Sequence, residues 1–168
     1  MAVKNLSASF TRPANTTAYA SGDLVASTTT AGDVAALELR GFSINSQGSC
    51  IIRRLKLAKS GTSITSAQFR VHLFRSDPAT VTNGDNGALS VSGVADYLGA
   101  VDITMDRAFT DGACGFGVPI VGSEFMVRMP GANSVSTGQS IFALVEARAA
   151  YTPSSAEVFT LTADQVDE

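Results

Sequence analysis

Apolar and polar residues alternate strictly in short runs along this chain, and clusters of Gly, Ser, Thr and Asn separate the runs. A period of two sends successive side chains to opposite faces of an extended backbone, so each run predicts a strand with one buried face. In Gln68–Phe74, Phe69, Val71 and Leu73 point one way, and Arg70 and His72 the other. In 51–58, Leu55 and Leu57 share a face opposite Arg54 and Lys56. The linker 59–67 is rich in Ser, Thr and Gly. It predicts that the two runs fold back on each other as an antiparallel hairpin with one apolar and one basic face.

Further strands are predicted around Leu37 and Leu39 within 34–44, and where Val101, Ile103 and Met105 alternate with Asp102, Thr104 and Asp106. Others fall at Phe125, Val127 and Met129, stopping at Pro130-Gly131, and at Phe159 and Leu161. The uninterrupted apolar run 141–145 predicts a strand covered on both faces. Only 91–98 reads as helical, with Ser90 or Ser92 as its N-cap and Gly99 as its stop. The fold class is therefore all-β, an antiparallel β-sandwich or jelly roll with one short helix. Residues 1–33 alternate weakly, are rich in Ser, Thr and Ala, and contain Pro13. They are expected as an extended N-terminal arm or a strand exchanged with a neighbour, leaving 34–168 as the sandwich.

The charge pattern narrows the partners. The chain carries 12 bases and 15 acids, for a net charge of −3. A protein that binds nucleic acid by neutralising phosphates is normally basic overall, so no direct nucleic-acid partner is expected. Between Cys50 and Ser76, however, stand Arg53, Arg54, Lys56, Lys59, Arg70 and Arg75 with no acid among them. That stretch predicts a basic surface, with Arg54, Lys56 and Arg70 set against an acidic protein neighbour. The 19 Ser and 16 Thr make the remaining surface polar but weakly charged, as suits a chain covered by partners. No apolar run reaches the roughly 18 residues of a membrane span, so no membrane partner is expected. MAVKNLSASF lacks the apolar core of a signal peptide.

The inventory for catalysis is thin. His72 is the one histidine, which excludes a multi-histidine metal site, and no nucleophile or orienting group accompanies it in sequence. Asp102 and Asp106 on one strand face would stand about 13 Å apart, too far for a paired-carboxylate mechanism. The turn Asn83-Gly84-Asp85-Asn86-Gly87 has the oxygen-bearing residues of a calcium loop but lacks its closing Glu, and reads as a turn. Gly112–Gly117 precedes no helix and reads as a flexible loop rather than a phosphate cradle. Cys50 and Cys114 form no disulfide framework and read as apolar fillers. No cofactor and no metal are expected, and the chain is not read as an enzyme.

Three segments carry a resemblance. The opening Phe10, Arg12-Pro13-Ala14, Asn15, Thr16–Tyr19, Gly22-Asp23, Leu24-Val25 is similar to one shared by cement proteins of tailed bacteriophages. The succession 69–103 resembles the same family in its apolar strand, its Asp77-Pro78 turn, Asp85-Asn86-Gly87-Ala88 and Leu98-Gly99-Ala100-Val101. A third echo runs from Phe142 to Pro153, followed by Glu157-Val158-Phe159.

The resemblance implies a jelly-roll-like antiparallel β-sandwich that acts as a decoration protein on the outer surface of an icosahedral capsid, made in the host cytoplasm and carried on the virion. It would clamp major capsid subunits. The weakly charged surface and the polar N-terminal segment, with too little apolar content to fold alone, lead us to expect association with itself as a dimer or trimer. Phe10, Arg12, Tyr19, Arg54, Lys56 and Arg70 are then the candidates for partner contact. The alternative is a receptor- or glycan-binding β-sandwich module of a virion, although the chain has no Trp and only three Tyr to offer a sugar.

Overall fold

The structure, a computed structural model, describes residues 3–43, 49–78, 83–119, 125–128 and 137–166. Among these residues eleven strands form two antiparallel sheets that pack face to face. In chain order they are β1 (Val3–Thr11), β2 (Leu24–Val25), β3 (Leu37–Ser43), β4 (Ser49–Lys59), β5 (Gln68–Phe74) and β6 (Tyr97–Thr104). Then follow β7 (Arg107–Phe109), β8 (Gly112–Gly117), β9 (Phe125–Arg128), β10 (Thr137–Ala147) and β11 (Val158–Val166). The first sheet runs β1-β11-β4-β8-β7, with β9 beside the start of β4. The second runs β2-β10-β5-β6, with β3 sharing the β2 side of β10. The chain is an all-β sandwich.

The predicted alternation sets the core. Leu55, Leu57, Phe69, Val71, Leu73, Phe159 and Leu161 are all fully buried between the sheets, with Val101, Ile103 and Met105 beside them. Each large side chain removed from water contributes about 2 kcal/mol before chain entropy is counted. The apolar run in β10 is covered on both faces, as expected. Ile141, Ala143 and Val145 join the main core. Leu144 and Phe142 turn outward into a second cluster with Leu24, Ala26, Phe74, Val34, Ala36, Leu89 and Val91.

Four expectations need correction. First, β4 and β5 form no hairpin. Both edges of β4 are taken by β11 on one side and β8 and β9 on the other, while β5 lies between β10 and β6 in the opposite sheet. The connection 60–67 crosses the sandwich, an easy reach because eight residues extend up to ~26 Å and packed sheets lie ~10 Å apart. Second, the helix is a single 3-10 turn, Val94–Asp96. Gly93, left-handed at φ 103°, precedes it with no side-chain cap, and Tyr97 and Leu98 extend into β6 instead. Third, Gly112–Gly117 is strand β8, not a loop. A Cβ on Gly115 would stand 2.1 Å from the Thr104 carbonyl oxygen, and one on Gly117 2.4 Å from Val101, so these glycines let β6 press against β8.

Fourth, the described part of 1–33 is no separate arm. β1 pairs with β11 along its whole length, from Val3↔Val166 to Thr11↔Val158. Tyr19, Leu24 and Val25 are buried in the same chain. The alternation is weak because between the inward Leu6 and Phe10 stands only the small Ala8, opposite the outward Asn5, Ser7, Ser9 and Thr11. Of the remaining expectations, Phe125 and Val127 fall in β9, whereas Met129–Gly131 lie outside the described residues.

Candidate functional site

Three regions concentrate polar chemistry: one inside the sandwich and one on each outer face. The interior one begins at Arg12, which follows β1. Its Nη2 donates to Asp85 Oδ2 at 2.8 Å and its Nε donates to the Tyr19 hydroxyl. Tyr19 in turn donates to Asp85 Oδ1 at 2.6 Å, and the Ala26 amide donates to the same oxygen at 2.9 Å. The remaining guanidinium hydrogens reach Asn15 and the Ser154 carbonyl. Both charged side chains are 0% exposed.

The Asn83–Gly87 turn thus aims its acid inward. It fits because Gly84 packs where a Cβ would meet the Thr29 carbonyl at 2.2 Å, and because Asn86 tolerates its positive φ of 65°. The Asn86 side-chain amide then ties down the carbonyls of Thr17 and Ala18.

A second buried pair lies alongside. Lys59 Nζ donates to Glu157 Oε1 at 3.1 Å and to the Gly61 carbonyl at 2.8 Å, and the Tyr151 hydroxyl donates to the same carboxylate at 2.7 Å. The Tyr19 and Tyr151 rings stack at 6.4 Å and 4° between the two pairs. Backbone bonds from Arg12 to Glu157 and from Tyr19 to Tyr151 complete the tie. Burial, followed by the hydrogen bond to Asp85, holds the Tyr19 phenol far above its ordinary pKa. Tyr151 is raised by burial and then by its bond to Glu157. Burial also lowers Lys59. The main charged and hydroxyl groups here are committed to one another, so the cluster fastens loops and offers no free acid, base or nucleophile.

Two predicted contact residues therefore lie in the wrong place for a partner. Arg12 and Tyr19 are each 2% exposed, and their polar atoms are bonded internally. Phe10 is half-buried and stacks on Phe159 at 5.6 Å and 13°. Lys59, grouped with the basic surface by its sequence neighbours, is instead buried here, and Asp85 of the predicted turn points inward, while Tyr151 and Glu157 carry no signal as individual residues. Asp85, Tyr151 and Glu157 nevertheless stand in the segments that carry the cement-protein resemblance.

On the outer face of the second sheet, His72 bridges the Tyr97 hydroxyl at 3.1 Å and Glu146 Oε2 at 2.8 Å, and Arg148 donates to Glu146 Oε1 at 2.9 Å. Arg70 donates twice to Asp102, at 2.6 and 2.8 Å, and that hydrogen bonding holds the carboxyl below its usual range. Next to this cluster an open pocket of about 390 Å³ is lined by His72, Phe74, Leu89, Ser90, Val91, Val94 and Tyr97. Its walls are mainly apolar, and both nitrogens of His72 already have partners.

On the outer face of the first sheet, Arg54 pairs with Asp164 at 2.6 Å and lies over the Phe116 ring at 4.8 Å. Lys56 stands between Thr162 and Phe116 in the register. Arg54 and Lys56 thus share this face, while Arg70 lies on the opposite side of the molecule, so the single basic hairpin surface does not form. Cys114 is a buried free thiol on β8. No group of three metal-binding side chains occurs among the described residues. Compared with known proteins, the sequence matches no family model and no curated protein.

Proposed function

We propose that this chain is a structural protein of a bacteriophage virion, a decoration or cement protein that binds the outside of the capsid. It would stabilise contacts between major capsid subunits and contact other copies of itself. One observation carries the reading: the three segments that resemble cement proteins meet at one place. Arg12 and Tyr19 come from the first, Asp85 from the second, and Tyr151 and Glu157 from the third. Their shared role is to fix loops around the buried core, which suits a mechanical task.

The jelly-roll form of the sandwich is supported by strand order. The sheets take β1-β11-β4-β8 and β3-β10-β5-β6, so among these eight strands the chain crosses between the sheets at every step except the β5-β6 hairpin, as two Greek keys do. A glycan-binding role finds less support, because the polar groups beside the pocket on the second sheet already bond one another.

The test is to heat virions assembled with and without this chain while a dye reports DNA release. Release at a clearly lower temperature without the chain is expected; identical release curves would remove the reading.

A further inference from the structure

We infer that the outer face of the first sheet, from β11 across β4 and β8 to β7, is the docking surface for an acidic protein partner. The inference builds on the capsid reading by naming the face that docks and the chemistry it recognises.

Charge is the first support. The strands present Arg53, Arg54, Lys56 and Arg107 on this face against a single acid, Asp164, whereas the whole chain has 12 bases and 15 acids. Among the described residues only Arg54 of these four cations has an ion pair. On the second sheet, by contrast, Arg70 and Arg148 are both neutralised by neighbours, and loops cover part of the face. Like charges gathered on adjacent strands are unfavourable in isolation, and a partner's carboxylates would relieve that repulsion.

Backbone geometry is the second support. Pairing of β4 with β11 passes from Arg54↔Asp164 directly to Ile52↔Gln165, leaving Arg53 as the extra residue of a bulge. The bulge exposes Arg53 and Arg54 together, where a regular strand would have turned one of them inward.

The third support is the apolar content beside the cations. Phe116 is 47%, Phe109 59% and Val118 65% exposed. Phe116 and Phe109 occupy the same face as Arg107 and Lys56, and the Arg54 guanidinium is already stacked over Phe116. Aromatic rings beside arginines, with neutral hydroxyls of Thr160 and Thr162 flanking them, have the composition of a protein–protein contact. Asp164 in the same array and the chain's net charge of −3 oppose a phosphate backbone.

The experiment follows backbone amides of the isotope-labelled full-length protein by NMR while polyglutamate is added, with a short DNA duplex as the parallel arm. Shifts confined to β11, β4, β8 and β7 are expected. Arg53→Glu and Lys56→Glu should each weaken polyglutamate binding about tenfold at low salt, as loss of steering and pairing charges does. Arg40→Glu on β3 applies the same charge change elsewhere and should leave binding unchanged. The unperturbed spectra report whether each variant is folded, and wild-type titrations at rising salt give the same answer without any variant. Shifts centred on the second sheet, absence of binding, or tighter binding of the duplex than of polyglutamate would each overturn the inference. Because no virion is used, failure here leaves the heating test of the capsid reading independent.

Discussion

Replacing Asp85 with alanine tests the interior tie most sharply. The substitution removes the acceptor of Arg12 Nη2, the Tyr19 hydroxyl and the Ala26 amide, and strands a guanidinium that is 0% exposed. Breaking a buried pair on one side typically costs about 3–5 kcal/mol, because the surviving charge is left without compensation. For a domain of this size each kcal/mol lowers Tm by about 2–4 °C, so a fall of roughly 6–20 °C is expected.

Arg12→Met should cost a similar amount. The double variant Arg12→Met/Asp85→Ala should cost less than the two single changes together by about 2–3 kcal/mol, since no unpaired charge remains. Urea unfolding followed by circular dichroism gives all four corners of the cycle, provided the slope with denaturant stays constant. A single-variant loss below about 1 kcal/mol, the size expected of a surface ion pair, would refute the reasoning. Strict additivity would refute it equally.

Three further outcomes follow from the same geometry. Burial holds Tyr19 and Tyr151 protonated in the folded chain while the unfolded chain ionises near pH 10. Above that pH the unfolded state binds fewer protons, so stability should fall by about 1.4 kcal/mol per pH unit for each tyrosine. The depressed Lys59 opposes this only until the unfolded lysine itself deprotonates at about pH 10.4, and ultraviolet titration should show both phenols ionising only with unfolding. Gly115→Ala should destabilise the chain by about 1–3 kcal/mol by forcing β8 away from Thr104, whereas an unchanged Tm would mean the sheets have slack there. Deleting residues 1–25 removes β1, Arg12, Tyr19 and β2, and should give an unfolded or insoluble product; a folded truncation by circular dichroism would show that these residues are dispensable to the core.

Much of the inside and outside of this fold is legible locally. Phe69, Val71 and Leu73 announce their burial because burial follows a period of two, and 141–145 announces two covered faces by lacking alternation. Pairing is not legible in the same way. β4 meets β11 across about a hundred residues of sequence, and nothing in the Leu55–Leu57 pattern distinguishes that partner from the nearer β5. Glycine misleads at Gly115 and Gly117, where it serves close approach of two sheets and no turn. Arg12 stands in the motif that carries the resemblance, which suggests contact with a partner; its burial is not legible because arginines are seldom buried and its partner Asp85 lies 73 positions away. The outward positions of Arg54 and Lys56 are legible from the alternation of β4, whereas Phe116 beside them is not, because Gly112–Gly117 reads as a loop and is a strand.

The most direct measurement of the central claim is the fate of this chain in a density gradient of purified virions, quantified by mass spectrometry against the major capsid protein. The chain is expected to sediment with the particles, in a fixed ratio to the capsid protein, and to be released as salt rises. A chain that remains at the top of the gradient at every salt concentration would contradict it.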